Sequence, residues 1–159
     1  MLTINMPAIR AKAQRGIAAV ELALTIPMIA LIAAYLMLFV SALHNYQVAK
    51  KATHDAARYL SSASAVEMAN AGTVDAHLDV ARAIIAAEMG SLINQGPNPH
   101  TVTILCGTVM CNGNVTPSAI VVTIEVPVVD VLFPLLTAPA TEGRGFQMTA
   151  VTYMPFIGR

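Results

Sequence analysis

The sequence predicts an α+β protein. One long N-terminal helix of membrane-spanning character continues as a packing helix, and a small head follows with a second helix and an antiparallel sheet of about three or four strands. Three observations carry this expectation. Residues 22–43 hold no charged side chain. Leu78, Ala81, Ile85, Met89 and Leu92 recur at spacings of three and four, the period of one helix face. Beyond residue 100, Val- and Ile-rich stretches bounded by Gly and Pro read as strands.

Composition narrows the function class. The chain has 159 residues, the size of one domain with an appendage. Charged residues make up 11% and hydrophobic residues 56%, whereas soluble domains carry about 25% charged residues. That deficit excludes a disordered chain and argues against an ordinary cytosolic one. Nine basic and nine acidic residues cancel, so no basic surface is on offer to a row of phosphates and nucleic acid is not an expected partner.

The uncharged run from Leu22 to Leu43 has only Thr25, Ser41 and the Tyr35 hydroxyl as polar groups. Its 22 residues extend roughly 33 Å as a helix, against about 30 Å of bilayer hydrocarbon. The run exceeds the roughly 7–15 apolar residues of a secretory signal. We expect residues 17–43 to form a transmembrane helix and residues 44–159 an extracytoplasmic domain. Residues 1–20 contain Arg10, Lys12 and Arg15 and no acid, which favours a cytoplasmic N-terminus. Lys50, Lys51 and Arg58 lie beyond the other end, so charge alone does not orient the span. The two cysteines do. Cys106 and Cys111 stand close together beside strand-like sequence, with Gly107 and Gly113 nearby, and this reads as a disulfide closing a small loop. Disulfides persist outside the cytoplasm, so the C-terminal part is expected there.

The most specific motif lies at the start of the span. Residues 1–16 form a basic leader ending in Gly16. Ile17, Ala18, Ala19 and Val20 follow, then the lone acid Glu21, then the apolar run with Pro27 inside it. This order resembles a type IV prepilin signal, which a prepilin peptidase cuts after the Gly. The resemblance implies cleavage between Gly16 and Ile17, with Glu21 fifth in the mature chain and positioned to compensate the new α-amine of a neighbouring subunit. A carboxylate at the edge of a lipid-facing helix is costly and usually functional. A buried ion pair gains little net stability but penalises misregister, so Glu21 suits subunit registration. The plain alternative is a boundary residue reaching the headgroups. Pro27 removes a backbone donor and crowds the carbonyl of Ala23, so a kink or a loosened turn is expected there.

Arg15 to Tyr59 carries a closer resemblance. The stretch RGIAAVELALTIP is similar to the TadE-like family pattern RGxxAVEFALxxP, with Leu22 where the family has Phe. Asn45-Tyr46-Gln47 and Thr53 to Tyr59 resemble the family's post-membrane helix, from which His54, Asp55 and Ala57 depart. The resemblance covers about 45 residues. TadE-like proteins are pseudopilins, or minor pilins, of tight-adherence systems that assemble Flp-type pili. The resemblance implies a pilin-like head and a non-enzymatic assembly component of the bacterial inner membrane, with its C-terminal domain in the periplasm. Whether it enters the pilus is left open. It also implies three kinds of partner: the membrane, a prepilin peptidase, and other pilin-like subunits (the major Flp-type pilin and sister pseudopilins). The competing reading treats Gly16 and Glu21 as incidental and the chain as an uncleaved anchor presenting a small binding domain.

The remaining elements follow from local signals. The first helix is expected to run to about Ser61. Ala49, Ala52, Ala56, Ala57 and Ala63 supply small residues for close packing, against other helices or the protein's own head. Residues 61–73 read as a connector. Thr73 is expected to cap a second helix from Val74 to about Gly90, with Asp75 near its positive end. Residues 94–100 read as a loop and Thr101–Leu105 as a strand. Ala119–Val129 reads as a strand with Thr123 and Glu125 on one face and Pro127 at an edge or bulge. Residues 131–140 read as an apolar loop that docks on the domain or a partner, and Phe146–Tyr153 as the last strand. No phosphate loop, dinucleotide fingerprint or nucleophile elbow occurs. His44, His54, His77 and His100 are scattered and expected at the surface, and adjacent His54 and Asp55 are expected to point apart. No catalytic residue, metal, cofactor or small-molecule substrate is expected.

Overall fold

The computed structural model describes residues 7–93, 100–114, 116–130, 133–135 and 145–158, with side chains from residue 16 onward. Four strands and three helices are described: α1 (Pro7–Ser61), α2 (Ala65–Met68), α3 (Ala71–Met89), β1 (Thr101–Cys106), β2 (Val109–Met110), β3 (Ala119–Val128) and β4 (Phe146–Pro155). The strands form one antiparallel sheet in the order β2-β1-β3-β4. The expected α+β architecture is therefore observed: a long apolar helix, a further helix and a four-stranded head.

α1 is continuous through Pro27. Its foot and its upper part face different surroundings. Residues 16–33 are exposed on every side. From Ala34 upward one stripe is buried, through Leu38, Ala42, Asn45, Ala49, Ala52, Ala56 and Leu60. The spacing of three and four is that of a single helix face. Small residues dominate it, so the sheet and α3 approach the helix axis closely. The alanines that sequence offered to neighbouring helices or to the head are thus occupied by the head: Ala49, Ala52, Ala56 and Ala57 are at most 1% exposed.

The sheet lies on α1 with alternate residues inward. In β3 the even-numbered Ile120, Val122, Ile124, Val126 and Val128 are buried, and odd-numbered Thr123 and Glu125 share the other face, as expected. β4 runs alongside α1 in the same direction. Met148 packs with Leu38 and Ala42, the Thr152 hydroxyl bonds that of Thr53 at 2.8 Å in a buried setting, and Ile157 N–H reaches the Ser61 carbonyl. The outer edge of β4 is partly covered, because Lys50 Nζ donates to the outward-facing carbonyl of Val151. Pro127 obeys the edge rule. β1 pairs with β3 only as far as Glu125, and the Ala119 carbonyl faces the β1 side. Alternation then points the missing donor of Pro127 past the end of β1, where no ladder bond is lost among the described residues.

α3 carries the predicted stripe: Val74, Leu78, Ala81, Ile85 and Met89 are buried, and Leu92 packs against the same core. Its start differs from expectation. Asn70, not Thr73, is the N-cap, its side chain accepting from Gly72 N–H at 2.8 Å. Thr73 lies within the first turn, where its hydroxyl donates back to the Glu67 carbonyl at 2.7 Å. Three earlier residues join the helix, so Asp75 falls beyond the first turn. The connector contains the short helix α2, which a Ser/Ala-rich composition did not announce. Of the expected loops, residues 94–99 and most of 131–140 lie outside the described residues. Within the latter, Leu135 is exposed rather than docked on the domain.

Cys106 and Cys111 form a disulfide with a Cα–Cα distance of 4.9 Å. β1 and β2 turn tightly through Gly107 and Thr108, with Gly107 at φ 75° as such a turn requires. The bridge holds a two-residue strand that pairing alone would not retain. Replacing both cysteines by Ser should lower stability by about 2 kcal/mol for so short a loop. Denaturant unfolding of the full chain in detergent, with and without reductant, checks this. Past the bridge, the loop at Gly113 abuts the start of α3: an added Cβ would lie 2.3 Å from the Ala71 nitrogen, and φ is +73°.

Candidate functional site: the N-terminal helix

The candidate site is the foot of α1. It is an exposed helix rather than a cleft. Gly16 and Ile17 lie in helical backbone, and Ile17, Val20, Leu22, Leu24, Met28 and Ile29 are all more than half exposed. A Cβ added at Gly16 would meet nothing within 4 Å. Packing among the described residues therefore gives no reason for a glycine there, and a glycine inside a helix costs about 1 kcal/mol relative to alanine. Glu21 is exposed, and among the described residues none pairs with it.

Two hydroxyls in the apolar run bond back to their own helix. Thr25 Oγ1 donates to the Leu22 carbonyl at 3.2 Å and Ser41 Oγ to the Met37 carbonyl at 2.9 Å. Both bonds stay within the helix, so these residues add little to the cost of placing it in lipid. Gly16–Ser61 is the one described helix long and apolar enough to cross a membrane. The core helix of a soluble protein would be mostly buried; here 6% of an 18-residue apolar window of it is.

Above the foot, polar side chains lock the head to the helix. Asn45 is fully buried. Its Nδ2 donates to the Ile93 carbonyl at 2.6 Å, and its Oδ1 accepts from Ile93 N–H at 3.0 Å. One side chain thus completes the backbone bonding of a residue 48 positions away. Beside it, His44 Nε2 lies 3.2 Å from the Ser91 carbonyl. Lys51 Nζ meets Glu88 Oε2 at 2.7 Å, and that hydrogen bond raises the lysine pKa above its ordinary value.

Two histidine expectations are revised. His77 is part-buried, with Nδ1 3.1 Å from the Tyr59 hydroxyl and Nε2 3.3 Å from Glu67 Oε2. It ties α1, α2 and α3 together, a role that its scattered position in sequence did not signal. His54 and Asp55 do approach, to 3.5 Å, but on the exposed surface. Among the described residues no three His, Cys, Asp or Glu side chains gather in a way that could hold a metal ion.

Comparison with known proteins agrees with the helix and is silent on the head. No curated protein and no solved structure matches the chain. Residues 16–58, from the glycine before the span to the last turn of α1, match the family model described as TadE-like protein, so this helix is similar to the TadE-like family.

Proposed function

We propose that the chain is a TadE-like pseudopilin that takes part in assembling a tight-adherence, Flp-type pilus. In this reading it sits in the bacterial inner membrane with residues 1–16 in the cytoplasm and the head in the periplasm. A prepilin peptidase removes the leader after Gly16, and Ile17 becomes the new N-terminus. Pilin-like subunits, the major pilin and sister pseudopilins, then meet the lipid-facing foot of α1. The observation that carries this reading is the pairing of Gly16 with Glu21 on a helix already matched to the family. Among the described residues neither has a partner, so in this reading each looks outward, one to a protease and one to a neighbour's α-amine. Pro27, inside the same exposed stretch, gives the foot a turn that lacks one backbone bond and can bend during packing.

The test is the intact mass of the membrane-extracted protein made with and without its peptidase. Cleavage after Gly16 should remove about 1.75 kDa, the mass of a 16-residue leader. If the full-length mass persists in both samples, the uncleaved anchor with a periplasmic binding head takes over. Replacing Gly16 by Leu should abolish the shift.

A further inference from the structure

The outer face of the sheet carries one row of large apolar side chains. In β1, β3 and β4 the even-numbered residues pack onto the helices, so the face of Leu105, Val121 and Tyr153 is turned away from them. Cross-strand pairing sets Met110, Leu105, Val121 and Tyr153 side by side, one from each strand, in the order β2-β1-β3-β4. Met110 is 63% exposed and Tyr153 68%, and the two residues between them are half-buried. The solvent face of an antiparallel sheet is ordinarily polar. Among the strand residues on this face only Glu125 is charged, and it stands two rows nearer the foot of α1, between Thr101 and Thr149.

The membrane limits how a second copy can cover this face. β4 and α1 run in the same direction, so the strands stand along the span. A two-fold axis across the strands would turn the second α1 upside down. An axis along them keeps both spans in one membrane and reverses the row at constant height. Met110 then faces Tyr153 of the second copy, and Leu105 faces Val121 of the second copy. Methionine sulfur against an aromatic ring is a favourable contact. Glu125 lies to one side of the axis, so it comes opposite Thr101 of the second copy, whose hydroxyl is a donor, and the two carboxylates do not meet. The row is thus complementary to its own reverse in size and in charge.

We infer that two copies pack these outer faces together about a two-fold axis along the membrane normal, with the two sheets meeting about 10 Å apart and the helices outside. The inference rests on the membrane reading of α1 and not on cleavage after Gly16. At about 3.4 Å per residue and about 4.8 Å between strands, the four described strands offer a footprint of about 450 Å², below the roughly 800 Å² per partner of a standard interface. The contact is therefore weak between free heads and depends on the effective concentration that two anchored spans supply.

Full-length chains with a donor or an acceptor fluorescent protein fused at the C-terminus would be reconstituted at high dilution in phosphatidylethanolamine–phosphatidylglycerol vesicles. The parent should show energy transfer above that of randomly placed chains. Tyr153→Lys alone and Met110→Glu alone should each weaken the dimer at least tenfold, because either change spoils both ends of the row. Donor-labelled Tyr153→Lys mixed with acceptor-labelled Met110→Glu should recover transfer: the new cation and the new carboxylate meet at one end, and the unchanged Met110 and Tyr153 meet at the other. Both sites are exposed, so the fold should tolerate the changes, and recovery itself shows that both variants are folded. Random-level transfer in a parent that floats with the vesicles overturns the inference and leaves the span intact. Transfer that neither variant weakens assigns the contact to the spans and also overturns it, as does loss in each variant without recovery in the mixture. Protein that does not float with the vesicles removes the span and the inference together.

Discussion

A chain carrying Glu21→Ala will be cut as the parent is, will insert at least as well, and will fail to support piliation. The carboxylate is the only charge between Ile17 and Lys50, and it is exposed with no partner among the described residues. Along the helix Lys50 is about 44 Å away, too far to pair within the chain. Removing the charge makes insertion easier by up to about 3 kcal/mol, so lost function cannot be blamed on a missing membrane protein. What is lost, in the proposed reading, is the contact with a neighbouring α-amine. If that contact contributes about 3 kcal/mol in its desolvated setting, subunit capture falls by about a hundredfold. Pili counted by electron microscopy, beside processed protein measured by immunoblot, provide the readout. Glu21→Gln should fail equally, since shape is kept and charge is not. Normal piliation in either variant sinks the registration role.

The second large effect concerns stability. Replacing Asn45 by Leu keeps the volume and removes both bonds to Ile93. Ile93 is 42% exposed, so water replaces part of what its N–H and C=O lose, and each lost bond costs about 1 kcal/mol. A loss of about 2 kcal/mol lowers the melting temperature of a chain this size by about 6 °C. Thermal unfolding of the full chain in detergent should show it. His44→Ala, which removes an exposed contact one residue away, should cost less than about 1 kcal/mol.

Those two residues were not equally readable. Glu21 announces itself as a single acid against an apolar run, and the span, the α3 stripe and the three longer strands are equally local signals of period and composition. The cysteine pair was legible because five positions in a tight hairpin leave few alternatives. Asn45 was visible only as part of a family-like triplet. Its role depends on Ile93, and no local rule links positions 48 apart. One signal was available: Asn45 is in phase with Leu38, Ala42, Ala49 and Ala52, so a buried amide needing partners could have been inferred. The cap of α3 was misplaced because Asn70 and Thr73 are both good caps, and the choice falls to α2, whose Glu67 carbonyl takes the Thr73 hydroxyl. The depth of the head on α1 was hidden for a different reason. Hydropathy marks where a helix could lie in lipid, and only the tertiary contact of Val128 and Met148 with Leu38 and Ala42 shows how far down the head sits.

The alignment of β4 with α1 has a mechanical consequence. Both elements run from the foot of the head to its top, joined by Met148, Val151, Thr152 and Ile157 along the way. A pull along the helix axis loads the β3–β4 ladder in shear, so that its hydrogen bonds resist together and do not open one by one. In the cleaved chain, residues 17–61 of the helix, about 68 Å long, act as the tension member, and the head rides on them as a splint from Ala34 upward. A force-bearing failure should therefore begin at the unsplinted turns below Ala34, with Pro27 among them.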